Sequence, residues 1–134
     1  ALEPVDLAAV AETVAERVAN AHPVTVTTDL PECAHVHAND AVRSVVGNLV
    51  ENAAEHNDAA DPRVAVAVEP REGAVRLEVR DNGPGVPDDV LADADGGLEL
   101  VRTLVDHYGG ELRVATNDPR GTVCAVDLPR AGED

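Results

Sequence analysis

The sequence is poor in aromatic and sulfur-containing side chains. It has a single tyrosine and no phenylalanine, tryptophan or methionine, although 44% of its 134 residues are hydrophobic. Alanine, valine and leucine therefore supply nearly all of the apolar surface. We expect a core built from small aliphatic side chains, in one domain that spans residues 1–134.

Lysine is also absent, because all ten basic residues are arginine. Against 26 acidic residues they leave a formal net charge of −16, with the acids scattered along the chain. Scattered acid is typical of proteins from salt-loving organisms, such as the haloarchaea, where salt screens the self-repulsion. An acidic face for a basic partner is the alternative interpretation. With no basic cluster, we expect no binding to nucleic acid.

The chain has two cysteines and no long apolar run. Cys33 and Cys124 belong to no C-x-x-C pair, and we expect both to be buried small apolar groups in a reducing cytoplasm. No uninterrupted apolar run exceeds five residues, and the N-terminus lacks a signal pattern. The sequence predicts a cytoplasmic domain without membrane contact, and leaves open whether the parent protein is attached to a membrane.

Three segments carry apolar residues at helical spacing. The first follows Asp6, a plausible N-cap, and continues to about Asn20. The second begins near Asp40 and ends in the polar run 55–58, and the third is closed by the glycine pair 109–110. The apolar positions are Leu7, Val10, Val14 and Val18; Val42, Val45, Val46, Leu49, Val50 and Ala53; and Leu98, Val101, Leu104, Val105 and Tyr108.

Strand patterns lie between and after these helices. Residues 24–28 and 34–37 have β-branched side chains and a period of two, which predicts a hairpin bridged by Pro31 with both histidines of the second run on one face. Four further strands are predicted at residues 63–69, 74–80, 111–116 and 122–128. The order predicts an α/β (α+β) two-layer sandwich, in which three helices cover one face of a mixed sheet.

Two asparagines of the second helix are candidate metal ligands. Asn48 and Asn52 are four residues apart, so they lie one above the other on a flank of the apolar stripe. A carboxamide oxygen can take one corner of a Mg²⁺ octahedron. Taken alone, the pair favours the simpler interpretation of two surface residues.

Two glycine-rich segments suggest a nucleotide site. Asp81 ends a predicted strand, and its carboxylate could accept a hydrogen bond from an exocyclic amino group such as adenine N6. Gly83 and Gly85 would let the backbone approach a flat ligand. Residues 96–97 precede the third helix, whose N-terminus favours phosphate. Each signal is weak alone, since a D-x-G-x-G loop is more often a hairpin turn or a cation loop.

The order of these features adds specificity. The runs N-L-V-E-N-A-A-E-H at 48–56 and D-N-G-P-G-V-P at 81–87, the segment 97–112 and the closing residues 121–129 resemble the N, G1 and G2 boxes and last strand of histidine-kinase catalytic domains. The resemblance extends from about Leu2. It implies the Bergerat fold of the GHKL ATPase superfamily. It also implies transfer of the ATP γ-phosphate to a histidine on a separate dimerisation domain of the parent kinase, with a response regulator downstream.

The resemblance implies roles for individual residues. Asn52 is expected to bind Mg²⁺, and Asn48 with Asn52 is expected to form the catalytic pair. Asp81 is implied as the adenine acceptor, Gly97 as a phosphate-facing backbone site and Thr122 as a support for the adenine. The full set implied to bind ATP is Asn52, Glu55, His56, Asp81, Gly83, Gly85, Val86, Gly97, Leu98 and Thr122.

Asn48 also bears on the type of reaction. Related ATPases such as gyrase and the mismatch-repair proteins place a glutamate four residues before the Mg²⁺ asparagine, where it activates water. Asn48 stands at that position here and cannot act as a base at neutral pH. The sequence therefore favours phosphoryl transfer to an external nucleophile over hydrolysis.

The sequence departs from the family pattern at the phosphate end. Glu55 stands where many histidine kinases carry a basic residue, and Asp93 and Asp95 replace further glycines of the G2 box. Only eleven residues separate Gly85 from Gly97, without the Phe-containing box and long lid of the family. The alternatives are a catalytically degenerate signalling module of the same fold and an anti-sigma-type Ser kinase. None of the five histidines lies in a phosphoacceptor motif.

Overall fold

The computed structural model describes residues 2–55, 57, 59–83, 97–116 and 121–131. Within these residues the chain forms three helices and seven strands. In chain order they are β1 (Glu3–Asp6), α1 (Leu7–Ala21), β2 (Thr25–Asp29), β3 (His35–Ala38), α2 (Val42–Glu55), β4 (Arg63–Arg71), β5 (Ala74–Asp81), α3 (Gly97–His107), β6 (Glu111–Thr116) and β7 (Thr122–Pro129).

Five strands form one mixed sheet in the order β2-β4-β5-β7-β6. Strand β2 joins β4 in parallel, while the other neighbours are antiparallel. The alternation of side chains along β4 and β5 buries one face and leaves the other accessible. The buried positions are Val64, Val66, Val68, Val75, Leu77 and Val79. The helices contribute buried side chains to the same core, which confirms the predicted two-layer sandwich.

The predicted hairpin between residues 24–28 and 34–37 is wrong. Strand β2 pairs with β4, and β3 pairs with β1 in a separate two-stranded sheet. Ala34, just before β3, is tied to the start of α1, because its N–H donates to Asp6 Oδ1 at 3.0 Å and its carbonyl accepts from Leu7 N at 2.7 Å. These bonds direct β3 toward β1. Its two histidines share the exposed face, as predicted.

The helices follow the predicted stripes. Asp6 caps α1 by accepting the N–H groups of Ala8 and Ala9 at 3.1 and 3.4 Å, which confirms the predicted N-cap. All apolar positions predicted for α1 and α2 are buried. Helix α3 ends before Gly109, whose φ of +79° suits the left-handed conformation of a helix C-terminus. Among the described residues, no helix is both long and apolar enough to cross a membrane.

The core consists mainly of small aliphatic side chains, as the composition predicts. Its largest fully buried members are leucines and valines. Tyr108 is 3% exposed, and its hydroxyl donates to Asn39 Oδ1 at 2.6 Å, which joins the end of α3 to the start of α2. The prediction that both cysteines are buried is wrong for Cys33, which is exposed, while Cys124 is partly buried. Cys33 lies in the loop that leads to β3, outside the helices and strands of the described residues.

Candidate functional site

The two candidate asparagines of α2 lie on its flank, half-buried, at the edge of the apolar stripe. Asn48 Nδ2 donates to the carbonyl of Ser44 at 2.7 Å, so its amide is engaged within the helix. For the Asn52 side chain, the described part of the chain offers no hydrogen-bond partner. Among the described residues, nothing engages the amide oxygen of Asn52, whereas the NH₂ of Asn48 is partly committed.

Asn48 also borders an open groove on the outer side of α2. The groove has a volume of about 250 Å³ and is lined by Arg17, Arg43, Ser44, Gly47, Asn48 and Glu51. Arg17 and Glu51 form an exposed ion pair across it at 3.1 Å. Gly47 leaves room for this arginine, because a Cβ at position 47 would lie 3.1 Å from Arg17 Nη2. The groove faces solvent, so it is a different surface from the core side of α2.

Asp81 is the last residue of β5, and two backbone groups hold its carboxylate. Its Oδ1 accepts the N–H of Gly83 at 2.9 Å and the N–H of Thr122 at 3.2 Å. The β5–β7 ladder ends with the pair Arg80 and Val123, so Thr122 is next in register. The antiparallel pairing of β5 with β7 therefore brings three predicted site residues together: Asp81, Gly83 and Thr122.

The glycine before Thr122 is required by this arrangement. Gly121 has φ +111°, and a Cβ built on it would collide with the backbone carbonyl of Asp81 and approach Cα of Asn82. Thr122 itself is 6% exposed and is the one polar residue in the core of the described residues. The pair G-T at 121–122 is thus explained by close packing of β7 against the end of β5.

The carboxylate of Asp81 also affects a neighbouring thiol. Cys124 lies two residues after Thr122 and pairs with Val79 of β5. Burial, and then the negative charge of Asp81, raise the pKa of Cys124 to about 11. The thiol is therefore protonated and unreactive at neutral pH. Asp81 lies two residues after the buried Val79 on β5, so strand alternation places both on the helix-covered face of the sheet.

Two asparagines that sequence reasoning did not single out connect this site to α2. Asn82 follows Asp81, and Asn57 lies two residues beyond the end of α2. Asn57 Nδ2 donates to Asn82 Oδ1 at 2.8 Å. The available signal was the position of each in a motif, Asn82 in D-N-G and Asn57 in the polar run after the N-L-V-E-N helix. Sequence could not reveal that they meet, because they are 25 residues apart.

The remaining predicted site residues are placed only in part. Glu55 is the exposed last residue of α2. Gly97, which the sequence placed just before the third helix, is the first residue of α3, and Leu98 follows it in the helix. His56, Gly85 and Val86 lie outside the described residues, as do Asp93 and Asp95 and the short lid predicted between Gly85 and Gly97. Their predicted roles stay predictions.

Comparison with known proteins identifies the family. Residues 37–132 match the family described as histidine kinase-, DNA gyrase B-, and HSP90-like ATPase. The C4-dicarboxylate transport sensor protein DctB of Rhizobium meliloti (strain 1021) is 35% identical over 103 residues, which are 67% of this chain and 16% of DctB. The chain therefore spans less than a fifth of the length of that relative.

Solved structures agree with this result. The mycobacterial sensor histidine kinase MprB is 26% identical, with a TM-score of 0.87 over 99% of this chain and 100% of that one. Full-length ShkA in complex with AMPPNP is 25% identical, with a TM-score of 0.80 over 99% of this chain and 32% of that one. The predicted resemblance and fold are confirmed, and the chain belongs to the histidine kinase-, DNA gyrase B- and HSP90-like ATPase family, as a catalytic domain of the sensor histidine kinase type.

Proposed function

We propose that this domain, residues 1–134, binds Mg-ATP and transfers the γ-phosphate to a histidine on the dimerisation domain of its parent kinase. A response regulator would then receive the phosphoryl group. The proposal is supported by relatives that are much longer sensor histidine kinases and by the nucleotide analogue in the ShkA complex. The described geometry supports it at both ends of the nucleotide.

At the adenine end, Asp81 is the proposed acceptor for the exocyclic amino group. Its carboxylate already receives two backbone N–H groups, from Gly83 and Thr122, which fix its orientation. A preorganised acceptor loses little conformational entropy when a ligand binds. The charge of the carboxylate strengthens a hydrogen bond to an amino donor. In our proposal Gly85 and Val86, which follow residues 81–83 in sequence, also belong to this end of the site.

At the phosphate end, Asn52 is the proposed Mg²⁺ ligand. Its amide is half-buried, has no partner among the described side chains and offers the hard neutral oxygen that Mg²⁺ accepts. When bound, Mg²⁺ would neutralise charge on the phosphates, which matters in a protein with a net charge of −16. Glu55 ends the same helix, and His56 follows it in sequence. Gly97 and Leu98 offer backbone N–H groups at the start of α3.

The observation that favours phosphoryl transfer over ATP hydrolysis is that Asn48 is a neutral amide already hydrogen-bonded within α2. A neutral amide cannot accept a proton from water, and the NH₂ of Asn48 is bonded to the Ser44 carbonyl at 2.7 Å. The domain therefore lacks a general base one turn before Asn52. Its contribution would be to position the γ-phosphate and stabilise charge for a nucleophile from outside.

The test is a titration of the chain with an ATP analogue in molar KCl, with and without Mg²⁺, followed by incubation with labelled ATP and the parent dimerisation domain. We expect Mg²⁺-dependent binding and a phosphoramidate, which is labile in acid and stable in base. An acid-stable phosphoester would instead support a Ser kinase. Absence of binding in molar salt would leave the degenerate signalling module as the better account.

A further inference from the structure

A closed set of hydrogen bonds surrounds Asn82, the residue after Asp81. Its Oδ1 accepts the backbone N–H of Arg63 at 2.9 Å and Nδ2 of Asn57 at 2.8 Å. Its Nδ2 donates to the carbonyl of Asp61 at 2.9 Å. Asn57 Nδ2 also donates to the carbonyl of Arg63 at 3.3 Å, which closes the ring. The Asn82 side chain thus joins two backbone groups, of Asp61 and Arg63, to the side chain of Asn57.

Part of this set is explained by the sheet alone. The β4–β5 ladder ends with Val64 opposite Asp81, and Arg63 would face Asn82 in the next position. The side-chain oxygen of Asn82 accepts the Arg63 N–H there, so it replaces a ladder bond. A role limited to ending the ladder would need no contact with Asn57, which belongs to the segment leaving α2.

The contact with Asn57 links the two proposed ends of the nucleotide site. Asn52 lies on α2, five residues before Asn57, and Asp81 directly precedes Asn82. Asn57 is in turn held to the helix end and to its own loop, since its N–H donates to Ala54 and its Oδ1 accepts the N–H of Ala59. The Asn57–Asn82 hydrogen bond therefore couples the position of the α2 end to that of the β5 end.

We infer that Asn82 is a positioning residue, which with Asn57 fixes the adenine acceptor Asp81 relative to the Mg²⁺ ligand Asn52. The inference rests on the proposed function of those two residues. Asn82 acts through its neighbours and touches no reacting atom. The affinity for a nucleotide that binds at both the adenine end and the Mg²⁺ end depends on the distance between Asp81 and Asn52. A nucleoside without phosphate engages the adenine end only, so its affinity does not depend on that distance.

This difference gives the experiment. Dissociation constants of Mg-ADP and of adenosine are measured for the chain and for Asn82→Ala. We expect about tenfold weaker binding of Mg-ADP and less than about threefold weaker binding of adenosine. Asn57→Ala keeps the bonds of Asn82 to Asp61 and Arg63 but removes its link to the segment leaving α2, together with the Asn57 contacts to Ala59 N and the Arg63 carbonyl. It should change the ratio of the two constants in the same direction, by about fivefold. It also serves as the test if Asn82→Ala does not fold.

Asn39→Ala is the matched control. The Asn39 side chain likewise joins separate segments, because its Oδ1 accepts from Ala41 N and from the Tyr108 hydroxyl, but it lies at the opposite end of α2. This variant should lower the melting temperature and leave the ratio of the two dissociation constants unchanged. The double variant Asn57→Ala/Asn82→Ala should bind Mg-ADP no more weakly than Asn82→Ala alone, because both substitutions remove the same Asn57–Asn82 hydrogen bond.

The outcomes separate the inference from the proposed function. Equal factors for Mg-ADP and adenosine in Asn82→Ala, which leave the ratio unchanged, would overturn positioning and show that Asn82 only supports the Asp81 loop, while the proposed binding of Mg-ADP would stand. Wild-type protein that binds neither ligand would defeat the proposed function, and the inference with it.

Discussion

Thr122 donates its backbone N–H to Oδ1 of Asp81, 3.2 Å away, just beyond the end of the β5–β7 ladder. The same oxygen accepts the N–H of Gly83 at 2.9 Å. Because both donors are backbone groups, their positions depend on strand pairing and not on side-chain rotamers. The carboxylate is therefore oriented by the fold before any ligand arrives.

Replacing this carboxylate should change base selectivity. Asp81→Asn keeps one oxygen that can accept the two backbone N–H groups, but it replaces an ionised acceptor with a neutral amide. We expect ADP to bind about tenfold more weakly or worse, with little change in the weaker binding of GDP. Isothermal titration with both nucleotides measures the difference. Equal losses for ADP and GDP would show that Asp81 only shapes the loop.

Removing the proposed Mg²⁺ ligand should affect the metal-dependent part of binding. Asn52→Ala is expected to abolish the gain in ATP affinity that Mg²⁺ provides and to stop phosphorylation of the dimerisation domain. The melting temperature without nucleotide should change little, because the Asn52 side chain has no partner among the described residues.

The matched control for Asn52→Ala is Asn20→Ala, at the exposed end of α1. It should change neither the Mg²⁺ dependence of binding nor phosphotransfer. Unfolding of Asn52→Ala before any nucleotide is added would contradict a ligand role and make Asn52 structural.

Gly121→Ala should destabilise the protein far more than Gly73→Ala. Both glycines have positive φ, +111° and +80°, so both substitutions strain the backbone. A Cβ at Gly121 also collides with the Asp81 carbonyl, whereas a Cβ at Gly73 meets nothing within 4 Å. We expect a loss of about 1 kcal/mol in unfolding free energy at Gly73 and roughly 2–4 kcal/mol at Gly121. Urea unfolding of both variants measures this, and equal losses would refute the close approach.

The Arg76–Asp127 pair should contribute to acid sensitivity. Arg76 donates Nε and Nη2 to the two carboxylate oxygens at 2.8 and 2.9 Å across β5 and β7. These hydrogen bonds hold the pKa of Asp127 below its usual value. Since the folded-state pKa is the lower one, the stabilisation is complete above the unfolded pKa of about 3.9 and is lost as pH falls through the folded pKa.

Asp127→Asn should therefore lower stability at neutral pH and flatten the loss of stability below about pH 5. Urea unfolding at a series of pH values measures both effects. Glu69→Gln is the control, because Glu69 pairs with Arg71 in an ion pair exposed to solvent, with side chains 64% and 46% exposed. If the unfolding free energy of Asp127→Asn falls with decreasing pH as steeply as that of the wild type, the Arg76–Asp127 pair does not contribute to acid sensitivity.

Salt should stabilise the folded chain. With 26 acidic and ten basic residues, repulsion among carboxylates opposes folding at low ionic strength. The melting temperature is expected to rise from low to molar KCl as this repulsion is screened. A parallel series in sucrose measures the general effect of an excluded solute. A flat or falling melting temperature in KCl would remove the argument for salt adaptation.

Local patterns predicted much of the molecule because they are set by neighbouring residues. The α2 stripe from Val42 to Ala53 follows the helical period, and every member is buried. The capping role of Asp6 needs only the next three residues. The β4–β5 hairpin joins strands adjacent in sequence. The motif residues Asp81 and Thr122 were predicted through their resemblance to a family, and their mutual hydrogen bond was not.

The sequence by itself indicated the three helices with their buried stripes and six of the seven described strands, but not β1, which pairs with β3. Only the tertiary structure decided which strands are neighbours, since a period of two marks faces and carries no information about the partner. For that reason β2 pairs with β4 and β3 with β1, against the predicted hairpin. The meeting of Asn57 with Asn82 has the same origin: the packing of α2 on the sheet brings together two segments whose contact no local pattern encodes.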